Sequence, residues 1–204
     1  MKTEGQFVEH RYHGHTGPTM SASDLSPSPP NPRQVILCDE SGRPLGSADL
    51  LAAHTGQGQL HLAFSVYVFH PDGRLLIQQR SAEKMLWPLV WANSCCSHPQ
   101  IGEQAIEAGR RRLREELGLD CELQPGSAFV YRAEEPSGRG VEWEYDILLV
   151  GTSSGEPRPD PTEVADWKWV DLESLERDMR DRSGKYAPWF HLGLPKVLTM
   201  RRGK

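Results

Sequence analysis

Between Gly102 and Leu117 the chain changes period, and that change limits what it can become. Ala105, Gly109, Leu113 and Leu117 fall at i, i+4, i+8 and i+12, the apolar stripe of a helix otherwise dense in arginine and glutamate. Gly118 supplies the stop. On either side the pattern is that of strands. Residues 34–39 make a short apolar run that ends in a turn at Glu40-Ser41-Gly42. Residues 60–69 are rich in β-branched and aromatic side chains, and Pro71-Asp72-Gly73 turns the chain into 75–80, the second arm of a hairpin. Strand signals return at 128–133, 143–150 and 167–170. Asp171 caps a helix through about residue 182, and a last helix runs from about 189 to 200. This order predicts an α/β (α+β) sandwich, a mixed β-sheet flanked by α-helices.

The 204 residues suffice for one good core. Residues 1–32 stand apart. His10, His13 and His15 alternate with small and polar residues, and the segment closes on Ser-Pro-Ser-Pro-Pro-Asn-Pro. Such a composition does not offset ordering entropy, so 1–32 reads as a flexible tail and 33–204 as one catalytic domain. A net charge of −5 argues against nucleic-acid binding, and no apolar run reaches membrane-spanning length. The cysteines Cys38, Cys95, Cys96 and Cys121 form no secreted framework, which points to reduced thiols and a cytoplasmic location.

The chemistry-bearing residues are dispersed. Cys96 stands two positions before His98, His54 and His61 precede them, and Glu142 and Glu144 follow. Imidazole with carboxylate suits Zn2+, Mn2+ or a similar divalent ion. Spacing alone does not show that three histidines from three segments converge, and a lone buried histidine is more often a core residue than a ligand. Glu142 and Glu144, at i and i+2 of a strand, share one face of the sheet, which a solvated acidic edge would do equally. A cation near Cys96 would bring its thiol toward neutrality, fit for a nucleophile or for a general acid/base, and the residues do not choose between the two. Cys95 reads as a packing residue.

The helix carries a further spacing. Glu103, Arg111, Leu113, Glu115, Glu116, Gly118 and Leu119 fit the Nudix box G-x5-E-x7-R-E-U-x-E-E-x-G-U, where U is a bulky aliphatic residue. Ser97 stands in place of the first Gly and Arg112 in place of the Glu that follows the Arg. That Glu normally helps bind Mg2+ for diphosphate hydrolysis, so Arg112 leaves the fold signal intact and damages the hydrolase signal. The helix pairs Arg112 with Glu116 and Arg111 with Glu115 are otherwise ordinary surface spacings.

Several motifs together resemble the type I isopentenyl diphosphate isomerases, a Nudix-like family. They are Ala52-Ala53-His54-Thr55, Leu60-His61-Leu62-Ala63-Phe64-Ser65, Gln79-Arg80 with Lys84, Trp87-Pro88, and Trp91-Ala92-Asn93-Ser94-Cys95-Cys96-Ser97-His98-Pro99. They continue through Arg114-Glu115-Glu116-Leu117-Gly118, Tyr131-Arg132-Ala133, Glu142-x-Glu144 and Pro188-Trp189, so the match covers roughly 34–200. The resemblance implies a flavin-independent interconversion of isopentenyl and dimethylallyl diphosphate, with a Nudix-type diphosphate hydrolase as the alternative. It implies that His54, His61, His98, Glu142 and Glu144 bind one divalent metal (Mn2+, Zn2+ or Mg2+). Glu116 would help hold a second ion, Mg2+, that arrives with the substrate.

By the same resemblance, Cys96 and Glu144 face opposite sides of the allylic unit, with Tyr131 hydrogen-bonded near Glu144. The face of Trp189 would stabilise the tertiary cation between the two proton transfers. Arg80 and Lys84 would contact the diphosphate, with Arg112 as a helper. The partner is thus a small molecule, and the protein is expected to be a monomer or weak homodimer. Leu50 departs from the pattern where many relatives carry a basic residue: either phosphate affinity is weaker, or another cation such as Arg139 or Lys185 reaches in. Leu89, where some relatives have Gly, is expected to change only a local turn. The longer loop around 137–140 should lie over the site and leave Glu142 and Glu144 in phase.

Overall fold

The computed structural model describes residues 33–203, so the segment read as a tail lies outside the described residues. At the centre is β3 (His61–Phe69), buried along nearly its whole length. Its alternating side chains serve two layers. Phe64, Val66 and Val68 pack with Leu113 and Leu117 of α2 (Ala105–Leu117), while Tyr67 and Phe69 pack with Phe190 and Leu194 of α4 (Pro188–Arg202). Helices therefore cover both faces of a mixed sheet, as the strand–helix–strand pattern predicts.

Among the described residues nine strands join this sheet. β1 (Gln34–Cys38) and β2 (Pro44–Asp49) form an antiparallel pair beside β3. β8 (Val141–Thr152) runs parallel to β3 along its length, and β7 (Leu123–Glu134) pairs antiparallel with β8. β6 (Cys95–Ser97) also pairs with β3, while β9 (Val164–Val170) and β5 (Trp91–Ala92) pair with β4 (Leu75–Arg80). The expected β3–β4 hairpin has its turn but only one ladder pair, Phe69↔Leu75. The neighbouring positions on β3 are taken by β8 and β6, so β4 diverges and finds β9 instead.

Helix boundaries follow their caps. α2 starts at Ala105 rather than Gly102, because Glu107 turns back to accept from the Gln104 backbone N–H, and it ends on Gly118 at φ 60°. Gly109 lies on its apolar stripe because a Cβ there would fall 2.6 Å from Leu149. α3 (Leu172–Asp181) is capped by Asp171, whose carboxylate accepts from the Ser174 N–H at 3.0 Å. The sequence patterns miss α1 (Leu50–Ala53), a single turn that Asp49 caps at 2.9 Å from the Leu51 N–H. That turn is too short for any periodicity, yet it delivers His54 to the site. β5 and β6 escape for the same reason, and β2 because its Pro-Leu-Gly-Ser-Ala-Asp run is mostly exposed and carries no apolar alternation.

Candidate active site

The strand register assembles the metal cluster. His61 and Glu144 stand opposite each other in β3–β8, and Glu142 and Glu144 lie two apart on the same face of β8. His98 follows the end of β6, and His54 caps the C-terminus of α1. The ligand atoms of all five residues lie within 4.8 Å of one another. His54 Nδ1 lies 2.7 Å from the Leu50 carbonyl and His61 Nδ1 2.7 Å from that of Gln59. Only a protonated nitrogen can bond a carbonyl oxygen, so both rings turn Nε2 inward.

There, His61 Nε2 lies 3.1 Å from His98 Nε2, and His98 Nε2 lies 3.0 Å from Glu144 Oε1. Glu142 Oε2 comes within 2.9 Å of His54 Nε2 yet is buried without a properly directed hydrogen bond. With both rings neutral, Nε2 of His54 and of His61 presents a lone pair toward the carboxylates. This donor set fits a divalent cation, with positive charge needed where the five atoms meet.

The electrostatics carry the same message. Burial disfavours charge on His54, but the Glu142 carboxylate outweighs it and lifts the imidazole to about 9. Burial drops His98 to about 4, and the neighbouring His61 and His54 add to that against Glu144. Burial and the charge of Glu144 raise Glu142. Glu144 is held well below the usual carboxylate range by His61 and His98 in spite of burial. Three imidazoles and two carboxylates so arranged cannot all take their preferred charge without a shared cation.

Beside the cluster opens a cavity of about 390 Å³. Its walls include Cys96, Tyr131, Glu144 and Trp189. Tyr131 stands opposite Glu144 in β7–β8 and donates its hydroxyl to Glu144 Oε2 at 2.5 Å. Trp189 lies in the first turn of α4, with Trp87 edge-on at 5.5 Å and the Arg80 guanidinium 5.3 Å from its ring centre.

Burial, the largest effect, pushes the Cys96 thiol up to about 12, with Glu116 and Glu144 adding and Arg80 and Lys84 opposing. Arg80 Nη1 reaches only 3.9 Å from the sulfur. Arg80 and Lys84 alone therefore do not offset burial, which favours the protonated thiol. Cys95 is fully buried among apolar residues, the packing role expected of it.

Basic side chains share the cavity with Cys96 and Trp189. Arg80 is held by the carbonyls of Leu86 at 2.8 Å and Trp87 at 3.0 Å, Trp87 being in the left-handed region at φ 47°. Lys84 and Arg112 both grip Glu163, Arg112 at 3.0 Å. Glu163 also lines the cavity, and the sequence reading missed it because it sits in a loop without pattern. Glu116 is set apart from the five ligands. It is 1% exposed, bonded by Arg112 at 2.6 Å and Gln78 at 3.0 Å, and Arg112 rather than Glu116 faces the cavity. The box pair Arg111–Glu103 closes as two bonds of 2.8 Å.

Leu50 lines the cavity wall, but neither expected substitute reaches it. Arg139 bonds Glu135 at 2.8 Å within its own loop, and Lys185 bonds Asp178 at 2.9 Å beside Trp91. Local carboxylates capture both cations. Gln34 and Arg111 are the polar groups added to the cavity wall instead. The 137–140 loop ends beside the His54 backbone, the Val141 N–H donating to the His54 carbonyl at 2.9 Å; none of its residues lines the cavity, and Glu142 and Glu144 stay in phase.

Comparison with known proteins agrees with this geometry. Residues 59–190 match the NUDIX domain family. The chain is 45% identical over 168 residues to isopentenyl-diphosphate Delta-isomerase 2 of Aromatoleum aromaticum, covering 82% of this chain and 88% of that protein. It is 43% identical to isopentenyl-diphosphate Delta-isomerase of Nocardia farcinica, over 76% of this chain and 89% of that one. Among solved structures, DR0079 of Deinococcus radiodurans superposes with a TM-score of 0.59 at 21% identity, over 73% of this chain and 90% of that one. The MutT NUDIX hydrolase of Burkholderia pseudomallei does so at 0.53 and 20%, over 68% and 98%. These two likenesses concern the fold.

Proposed function

The chain belongs to the isopentenyl-diphosphate Delta-isomerases built on a NUDIX domain, and from that premise we propose how its site works. The enzyme interconverts isopentenyl and dimethylallyl diphosphate by adding a proton to one carbon and removing one from its neighbour. One observation carries our assignment: Cys96 and Glu144 line one cavity from the two strands that flank β3. A thiol pushed up by burial arrives protonated, and a carboxylate held low arrives ionised, so one can give a proton while the other takes one. Tyr131 fixes the Glu144 carboxylate and can carry its proton. The aromatic face of Trp189 stabilises the tertiary cation, which no hydrogen bond can reach. The buried walls of the cavity exclude water that would trap that cation as an alcohol.

Arg80, Lys84 and Arg112 bind the diphosphate. His54, His61, His98, Glu142 and Glu144 would hold a divalent ion, Mn2+, Zn2+ or Mg2+, whose charge neutralises the two carboxylates. Glu116, now paired with Arg112, would help hold a second ion, Mg2+, that arrives with the diphosphate and would offset its charge. We further assign the activity to residues 33–204 as a unit, a monomer or weak homodimer in the cytoplasm acting on a small molecule without nucleic acid or membrane. No helix among the described residues is long and apolar enough to cross a membrane. The alternative, a diphosphate hydrolase, is disfavoured by Arg112, whose ion pairs fill the place of an Mg2+-binding Glu.

Isopentenyl diphosphate in deuterated water tests the assignment. Dimethylallyl diphosphate carrying deuterium is expected, and Cys96→Ala and Glu144→Gln should each lower kcat by roughly 10³-fold while the protein stays folded. A folded Cys96→Ala protein with full activity would remove the thiol from the mechanism. Phosphate or pyrophosphate as the main product would favour the hydrolase.

A further inference from the structure

Asn93 lies between β5 and β6, is fully buried, and touches none of the cavity, yet its side-chain amide makes three hydrogen bonds. Its Nδ2 donates to the Val66 carbonyl at 3.1 Å and to the Cys95 carbonyl at 2.8 Å. Its Oδ1 accepts from the Trp189 indole at 3.1 Å. These bonds leave no freedom to flip, because exchanging O and N would set like groups against all three partners. The amide therefore ties the central strand, the residue before the thiol and the aromatic ring to one another.

The ring needs such a tether. Trp189 is in the first turn of its helix, where backbone N–H groups lack helical partners. The strap 91–96 also anchors the helix start through the Ala187 N–H, which donates to the Trp91 carbonyl at 2.9 Å. Ser94 pins the same strap to the core, donating to the Leu76 carbonyl at 2.7 Å and accepting from the Val68 N–H at 2.8 Å.

We propose that Asn93 is a positioning residue for the isomerisation, fixing the plane of Trp189 relative to the Cys96 thiol so that the ring faces the carbon where positive charge develops. The inference rests on the roles given above to Cys96 and Trp189. It assigns to Asn93 no contact with substrate. Because the role given to the ring is toward the carbon where charge develops, the bond should matter for the reaction and little for ground-state binding.

The test compares Asn93→Ala, Trp189→Phe and the double variant with the wild type. It uses kcat and KM for isopentenyl diphosphate and affinities for inorganic pyrophosphate and an alkylammonium diphosphate of similar length. Asn93→Ala should lower kcat by roughly ten- to a hundredfold, the cost of a misplaced reacting geometry. Its KM and pyrophosphate affinity should stay within about twofold, while alkylammonium affinity falls in step with kcat. The double variant should lose no more than the worse single one, since both remove the same bond.

Wild-type kcat in a folded Asn93→Ala protein, a parallel loss of pyrophosphate affinity, or losses that multiply in the double variant would each overturn the proposal. Should Asn93→Ala fail to fold, the wild-type Trp189 indole proton decides. Bonded as described it exchanges with solvent at least ~10²-fold more slowly than free indole, and fast exchange overturns the proposal. A wild-type enzyme without isomerase activity would instead sink the underlying assignment and leave the exchange result standing.

Discussion

Tyr131 and Glu144 face each other across the β7–β8 ladder, and the tyrosine hydroxyl donates to Glu144 Oε2 at 2.5 Å. The other oxygen, Oε1, points to His98 at 3.0 Å and His61 at 3.6 Å. One carboxylate is thus divided between two tasks, Oε1 toward the metal ligands and Oε2 toward the cavity. A neighbouring strand on each side enforces the division, because His61 is the opposite number of Glu144 on β3.

Tyr131→Phe should keep the fold and lower kcat by about tenfold or somewhat more, since a hydrogen bond to a charged group contributes about 1.5–3 kcal/mol. Steady-state kinetics beside a circular dichroism melt would check it. An unchanged kcat would mean that Oε2 needs no orientation.

Chelation should abolish isomerisation and lower the melting temperature together, with a divalent ion restoring both. An ion at a hundred times its Kd adds about 2.7 kcal/mol of stability. Calorimetry across a metal titration reads this directly. A melting point indifferent to metal would contradict the convergence of the five ligands.

Gly140→Ala should weaken metal binding without touching a ligand. A Cβ there would fall 2.4 Å from the His54 carbonyl oxygen and 2.9 Å from Leu86, so the His54 backbone must move. Losses of second-layer support commonly cost about 10- to 100-fold in affinity. A competition titration with a metal indicator would measure it, and wild-type affinity would show that the loop yields freely.

Stability should fall at acid pH through Glu163. Burial would raise its carboxyl, but Lys84 and Arg112 outweigh that and hold it at about 2. A carboxyl whose folded pKa lies below its unfolded value near ~4.3 adds stability that is complete above that value. That contribution is lost as pH drops through the folded pKa, here between about pH 4.5 and 2. Urea denaturation across this window should show the loss, and Glu163→Gln should flatten it.

Leu89→Gly should stabilise the protein by up to about 1 kcal/mol. Leu89 sits at φ 62° and is 52% exposed, so its side chain adds strain in the left-handed region with little burial in return. That strain is about 1–2 kcal/mol, from which the extra chain entropy of glycine subtracts roughly 0.5–1 kcal/mol. The denaturation midpoint would check it, a marked drop showing that Leu89 packs in solution.

The sequence by itself determined the layered fold and the chemical types at the site. The four-residue spacing of Ala105, Gly109, Leu113 and Leu117 was legible because a helix repeats, and the alternation along β3 because a strand does. The ligand set was legible through motif resemblance, not through spacing, since its members come from two strands, a single helical turn and a loop end. Only the tertiary structure decided how those groups meet. It set the β3–β8 register that opposes His61 to Glu144, placed Arg112 over Glu116, and left Arg139 and Lys185 with partners of their own. It also buried the Cys96 thiol, which raises it against Arg80 and Lys84, and revealed the three bonds of Asn93. The reason is physical: periodicity records which face of an element is buried. Register, desolvation and competition among ion pairs depend on atoms far apart in the chain, and only folding brings them together.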